Sequence, residues 1–192
     1  GSYTFEFTGT SLRRVSAFGG AKVEARNLTF TLANGRKILN DVSLDITPCS
    51  FVGILGGSGQ GKSTLMNALC GINPATSGDA YINGARLGDA RQMASAGIGY
   101  VPQDDIVHRE LTVTEAITYS ARLKLPGDTP RRAIRDLVEE TIERLGLAEH
   151  KEKHIAQLSG GQRKRVSIAT ELLAKPSVLF LDEPSSGLDP KT

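Results

Sequence analysis

Residues 56–63 read GGSGQGKS, with Gly56 and Gly61 five apart and Lys62 and Ser63 directly after them. That spacing suits a polyphosphate. Glycines let the backbone turn so that several N–H groups converge on phosphate oxygens, at the start of a helix whose dipole adds positive potential. Gly57, Ser58, Gly59, Gln60 and Gly61 then form the cradle, Lys62 reaches the β- and γ-phosphates of a nucleoside triphosphate, Ser63 ligates Mg²⁺ and Thr64 donates to the α-phosphate. A second string, VLFLDEP at 178–184, ends an apolar run in two carboxylates. Asp182 is placed for the metal's water shell, and Glu183, at the tip, for polarising an attacking water. A third, LSGGQ at 158–162 followed by RKRVSIATELL, reads as a loop entering a helix. Ser159 is its N-cap, and Gly160 and Gly161 leave N–H groups open to an anion.

These residues need elements to hold them. Residues 51–55, FVGIL, form a continuous apolar run that predicts a buried strand leading into the glycines. After them Leu65, Met66 and Leu69 recur at helical spacing until Gly71 and Pro74. Upstream, VEARNLTFTL and ILNDVSLDI read as strands on either side of Ala33, Asn34, Gly35 and Arg36, a hairpin signal. Residues 79–84 predict a strand and turn, 98–101 a buried strand closed by Pro102, and 178–181 another buried strand. Amphipathic helices are predicted over 113–125, capped by Thr112 or Thr114, and over 132–145, opened by Thr129 and Pro130. Residues 1–22 read as a tag remnant, Gly1 and Ser2, followed by a lead-in segment or linker with a short strand in YTFEF.

Composition narrows the class. In 192 residues, 23 Lys and Arg stand against 21 Asp and Glu, a net charge of +2, so no polybasic nucleic-acid binder is expected. Cys49 lies in a turn and Cys70 on an apolar helix face, which implies no disulfide framework and fits a reducing compartment. No apolar run approaches the ~20 residues of a membrane span. His150 and His154 are four apart, a spacing that makes a metal pair on a helix, but they flank Lys151, Glu152 and Lys153 with no third ligand near and read as a solvated surface. Arg163, Lys164 and Arg165 either help hold a partner's phosphate or lie in part on a solvated helix face.

Taken together, the three motifs resemble the nucleotide-binding domain of ATP-binding-cassette (ABC) proteins, over nearly everything from residue 23 to residue 189. The texture of YVPQDDIVHRELTVTEAITYSARLKLP, LSGGQRKRVSIATELL and LDEPSSGLDP resembles the ABCG or White-type subfamily, and within it bacterial members fused to ABC-2-type membrane helices and sometimes to a forkhead-associated domain. That resemblance implies an α/β P-loop cassette with a mixed sheet, an antiparallel portion near the N-terminus and a helical subdomain at about 104–170. It implies ATP and Mg²⁺ as ligands. Gln103 matches the Q-loop glutamine that senses Mg²⁺ and touches the transmembrane partner. Residues 158–162, Gln162 included, match the signature that binds the γ-phosphate held by another protomer, and residues 186–189 match the D-loop. The implied partners are a second cassette, identical or not, and an ABC-2-type transmembrane domain in the same or another chain, on the cytoplasmic side of the cell membrane. The family's switch histidine falls beyond Thr192, and none of His108, His150 or His154 stands in for it, so the chain reads as C-terminally truncated. The adenine-stacking aromatic of the family falls near Leu32, and Cys49 stands where the family usually has glycine. A soluble mechanical or translation-factor ATPase of the same superfamily is the competing reading. Only about 55 residues separate Gln103 from Leu158, with no sustained heptad, which disfavours the chromosome-maintenance type.

Overall fold

The computed structural model describes residues 5–7, 12–14, 20–88, 97–104 and 106–184. The D-loop match at 186–189 lies outside them. Strands β1 (Phe5–Phe7) and β2 (Leu12–Arg14) pair antiparallel, with Phe5 opposite Arg14, so a short strand does form within YTFEF. The described chain otherwise divides into two compact units, one of residues 20–88 with 97 and 98, the other of residues 99–184.

The first unit is a four-stranded antiparallel sheet in the order β4-β3-β5-β6, with one helix packed on it. Strands β3 (Val23–Thr31) and β4 (Lys37–Ile46) are the predicted hairpin. Its turn closes by Leu32 N–H to the Arg36 carbonyl and Gly35 N–H to the Leu32 carbonyl, both at 2.9 Å, with Gly35 at φ 82. Strands β5 (Ser77–Ile82) and β6 (Ala85–Leu87) meet at Asn83 and Gly84, both at positive φ, as a two-residue hairpin turn requires. Helix α1 (Lys62–Cys70) buries Met66, Ala68, Leu69 and Cys70 beside Val23, Ala25, Leu28 and Ile82 of the sheet.

One expectation for this unit changes. Residues 51–55 form no strand: they run irregularly, with Phe51 76% and Leu55 96% exposed. A strand needs ladder partners, and the sheet of this unit is completed without one for that segment. Cys49 lies in a turn as expected and sits at φ 62 in the left-handed region, a conformation that favours glycine.

Cys70 is fully buried, its thiol 3.6 Å from the Asn67 carbonyl, and burial pushes the thiol above its ordinary range. The thiolate is the reactive form. In the native protein a thiol reagent at pH 8 is therefore expected to modify Cys49, which is half-buried, while Cys70 reacts only on unfolding. Two equally fast thiols would contradict this.

The second unit is mostly helical. Helix α2 (Val113–Lys124) opens on a capping box: Thr112 Oγ1 accepts the Glu115 N–H at 3.2 Å, and the Glu115 carboxylate accepts the Thr112 N–H at 2.8 Å. That backbone N–H first, and the Thr112 hydroxyl second, hold the Glu115 carboxyl below its ordinary range. The cap's contribution is thus full at neutral pH and is lost as acid protonates Glu115. Helices α3 (Arg131–Arg144) and α4 (Gly160–Leu172) complete the bundle. Val113, Ile117 and Ala121 of α2, Val138 and Ile142 of α3, and Val166 and Ala169 of α4 share one core with Leu147 and Ile155 of the connecting turns. Strands β7 (Ile98–Val101) and β8 (Val178–Leu181) pair beside them. Gly99 and Val101 are buried as expected, but all four residues of β8 are only half-buried, where the apolar run predicts a buried strand. Among the described residues no helix is long and apolar enough to cross a membrane.

Candidate nucleotide-binding site

The phosphate loop lies in the first unit and is shaped by two glycines in the left-handed region, Gly59 at φ 75 and Gly61 at φ 85. Gly61 leads straight into α1, whose first hydrogen bond is Leu65 N–H to the Gly61 carbonyl at 2.8 Å. A Cβ at Gly61 would stand 2.9 Å from Ile38 of β4, so conformation and space both demand glycine there. Gly57, Ser58, Gly59 and Gln60 are exposed, while Lys62, Ser63 and Thr64 in the first turn are half-buried. The loop is fastened from within. Lys62 Nζ donates to the Gly56 and Gly57 carbonyls at 3.0 and 2.9 Å, and Gln60 Oε1 accepts the Gly57 N–H at 2.9 Å. Loop, lysine and helix N-terminus fit a polyphosphate: a cation and exposed backbone donors gather at the positive end of a dipole.

The carboxylates lie in the second unit. Asp182 follows β8, is 5% exposed, and donates its N–H to the Val101 carbonyl at 2.9 Å. Among the described residues of that unit no side chain bonds its carboxylate, a condition that suits a group whose partner is a hydrated cation. Glu183 is exposed and at φ 45, a left-handed conformation costly for a residue with a Cβ and common where a site holds it. Gln103 is exposed just after β7, which is anchored by the Tyr100 N–H to Glu171 Oε2 at 3.3 Å, and Glu171 in turn pairs with Lys124.

The signature forms as its residues foretell. Ser159 Oγ accepts the Gln162 N–H at 3.3 Å, and Gln162 Oε1 accepts the Ser159 N–H at 2.9 Å, a second capping box that begins α4. Gly160 is half-buried and Gly161 buried in its first turn.

The three cations after it are not a solvated face. Lys164 is 3% exposed, and its Nζ donates to the carbonyls of Pro102 and Gln103 at 2.8 and 2.6 Å. Arg163 Nη1 donates to the Leu158 carbonyl, and Arg165 Nη1 to those of Leu145 and Gly146. Lys164 thus ties the signature helix to the Q-loop backbone, a role that sequence reading missed. Nothing in the Arg163–Arg165 run marked it, since the carbonyls that receive the lysine lie far along the chain.

Of the two histidines, His154 lies on the solvated surface as expected, and His150 departs from it. They stand on no common helix, since Ala148–His150 and Ile155–Gln157 are separate short 3-10 turns. His154 is exposed, with Nδ1 2.8 Å from the Glu110 carbonyl, whereas His150 is half-buried against the Gln162 side chain.

Residues 39–186 match the ABC transporter family. The ABC transporter ATP-binding/permease protein Rv1747 of Mycobacterium tuberculosis is 40% identical over 168 residues, covering 88% of this chain and 19% of its own. The ABC transporter G family member 13 of Arabidopsis thaliana is 41% identical over 184 residues, covering 89% of this chain and 26% of its own. The chain therefore spans about a fifth to a quarter of the length of these relatives. Among solved structures, a dimer of the ATP-binding cassette MJ0796 in a post-hydrolysis state, bound to ADP and Pi, superposes with a TM-score of 0.79 at 30% identity, over 88% of this chain and 77% of that one. Motifs, fold and relatives agree, and the chain belongs to the ABC transporter family as a nucleotide-binding domain of the ABCG type.

Proposed function

We propose that this domain binds and hydrolyses ATP, and that two copies, or one copy and a related cassette, close head to tail around two MgATP to move transmembrane helices, in the direction of export. The phosphate loop carries the reading: glycines in the left-handed region deliver Lys62 and the free N–H groups of α1 to one place. Lys62 and the loop amides hold the triphosphate. Ser63 and Gln103 would hold Mg²⁺ through oxygen, and Asp182 would hold it through its water shell. That ion, when bound, polarises phosphate oxygens as a Lewis acid. Glu183 takes the proton of a water attacking the γ-phosphorus in line; the new P–O bond forms as the bond to the β-phosphate oxygen breaks, and ADP and phosphate leave. Ser159, Gly160, Gly161 and Gln162 complete the γ-phosphate site of the facing protomer. The membrane partner is an ABC-2-type domain, which places the cassette on the cytoplasmic face. The relatives, one of them named an ATP-binding/permease protein, support a transmembrane partner in general.

The composite site sets the test. The 192-residue chain alone is expected to bind MgATP yet release phosphate far more slowly than the complete polypeptide, and to sediment as a monomer. Equal turnover by a monomer would overturn the head-to-tail mechanism.

The base contact is proposed to be weak. Leu32 lies just past β3 and is 40% exposed, so an aliphatic side chain stands where an adenine platform is expected. Leu32→Tyr should tighten ATP binding by about 1 kcal/mol if a stack is gained. Calorimetry that shows no gain, with a strong native preference for ATP over GTP, would assign the base to another residue.

A further inference from the structure

The side chain of Gln162 has two ends, and the signature uses only one of them. Its Oε1 accepts the Ser159 N–H at 2.9 Å, which fixes the carboxamide so that its NH₂ faces the other way, 2.8 Å from His150 Nε2. An amide NH₂ only donates, so His150 Nε2 must be the lone-pair nitrogen and the ring proton must sit on Nδ1. Nδ1 is buried and has no hydrogen-bond partner among the described residues. A ring kept for packing alone gains nothing from that arrangement; a ring kept as an acceptor does. The ring is well placed for it, because the His150 N–H donates to the Leu147 carbonyl and the His150 carbonyl accepts the Lys153 N–H, both at 2.9 Å, and Leu147 is fully buried in the helical core.

We propose that His150 is a positioning residue for the signature motif. It holds the Gln162 carboxamide in the one orientation that caps Ser159. If the amide turned over, its NH₂ would meet the Ser159 N–H, and its oxygen would meet the Nε2 lone pair until the ring moved its proton from Nδ1 to Nε2. The turn that presents the Gly160 and Gly161 N–H groups is thereby kept in register for a γ-phosphate. This inference rests on the signature role proposed above.

The test uses the complete polypeptide, with His150→Leu, which keeps bulk and removes the acceptor, and His150→Gln, whose Oε1 reaches the place of Nε2. His150→Leu is expected to lower kcat/KM for MgATP about five- to tenfold, the scale of one hydrogen bond, and His150→Gln to stay within about twofold of the native rate. ADP has no γ-phosphate, so its affinity, measured by calorimetry, should be unchanged in both. A general structural defect would instead weaken ADP binding with turnover. If His150→Leu fails to fold, His150→Asn, whose Oδ1 falls short of the Nε2 position, replaces it with the same expected loss. Gly160→Asp, which sets a carboxylate in the signature itself, separates the two readings. Native turnover in Gly160→Asp defeats the signature role. Turnover lost in Gly160→Asp but native in His150→Leu, or lost equally in His150→Leu and His150→Gln, overturns the role given to His150 alone.

Discussion

Lys62→Ala is expected to leave the domain without measurable MgATP binding. The native ammonium already lies inside the loop, donating to the Gly56 and Gly57 carbonyls, so it stands where anionic oxygens would arrive and needs only to exchange neutral acceptors for charged ones. Charge-assisted hydrogen bonds contribute about 1.5–3 kcal/mol each. Loss of the two made to the β- and γ-phosphates corresponds to roughly two to four orders of magnitude in Kd. Alanine also releases the internal fastening of the loop, which adds to the loss. The helix survives, since its buried face is Met66, Ala68, Leu69 and Cys70. Circular dichroism should therefore match the native protein while calorimetry shows no binding. Native affinity in this variant would remove Lys62 from the site.

Glu183→Gln is expected to do the reverse: to keep MgATP affinity and lower turnover by about 10²- to 10⁴-fold, the usual contribution of a general base. Glutamine keeps the length and shape of the side chain and loses the proton acceptor. The backbone at φ 45 is set by the strand end, where buried Asp182 is pinned to Val101, so the substitution should leave the carboxylate of Asp182 in place. Phosphate release and nucleotide binding measured together in the complete polypeptide decide the matter. Unchanged turnover with unchanged binding would move the base to another residue.

Much of the site is legible in sequence because local chemistry forms it. The phosphate loop, both capping boxes and the two hairpin turns each close within a handful of residues, through glycines at positive φ or a side chain bonding a nearby N–H. Helices α2 and α3 follow the spacing of their apolar residues to within a residue or two at either end. Residues 51–55 and 178–181 show where such reading stops. Both are apolar runs, yet the first is irregular and exposed and the second is a strand only half-buried. An apolar run states what would be gained by burial; it does not supply the neighbour that buries it.

The sequence by itself thus determined the family, the phosphate loop, the signature cap and the helices that follow, since each rests on residues close enough along the chain to find one another without help. The tertiary structure alone decided where the isolated polar groups go. Lys164 meets carbonyls 61 and 62 residues away, and His150 meets Gln162 across two turns that end in the helical core. A buried ammonium or imidazole must find partners when water is removed, and which partners stand within reach is fixed only when distant segments pack.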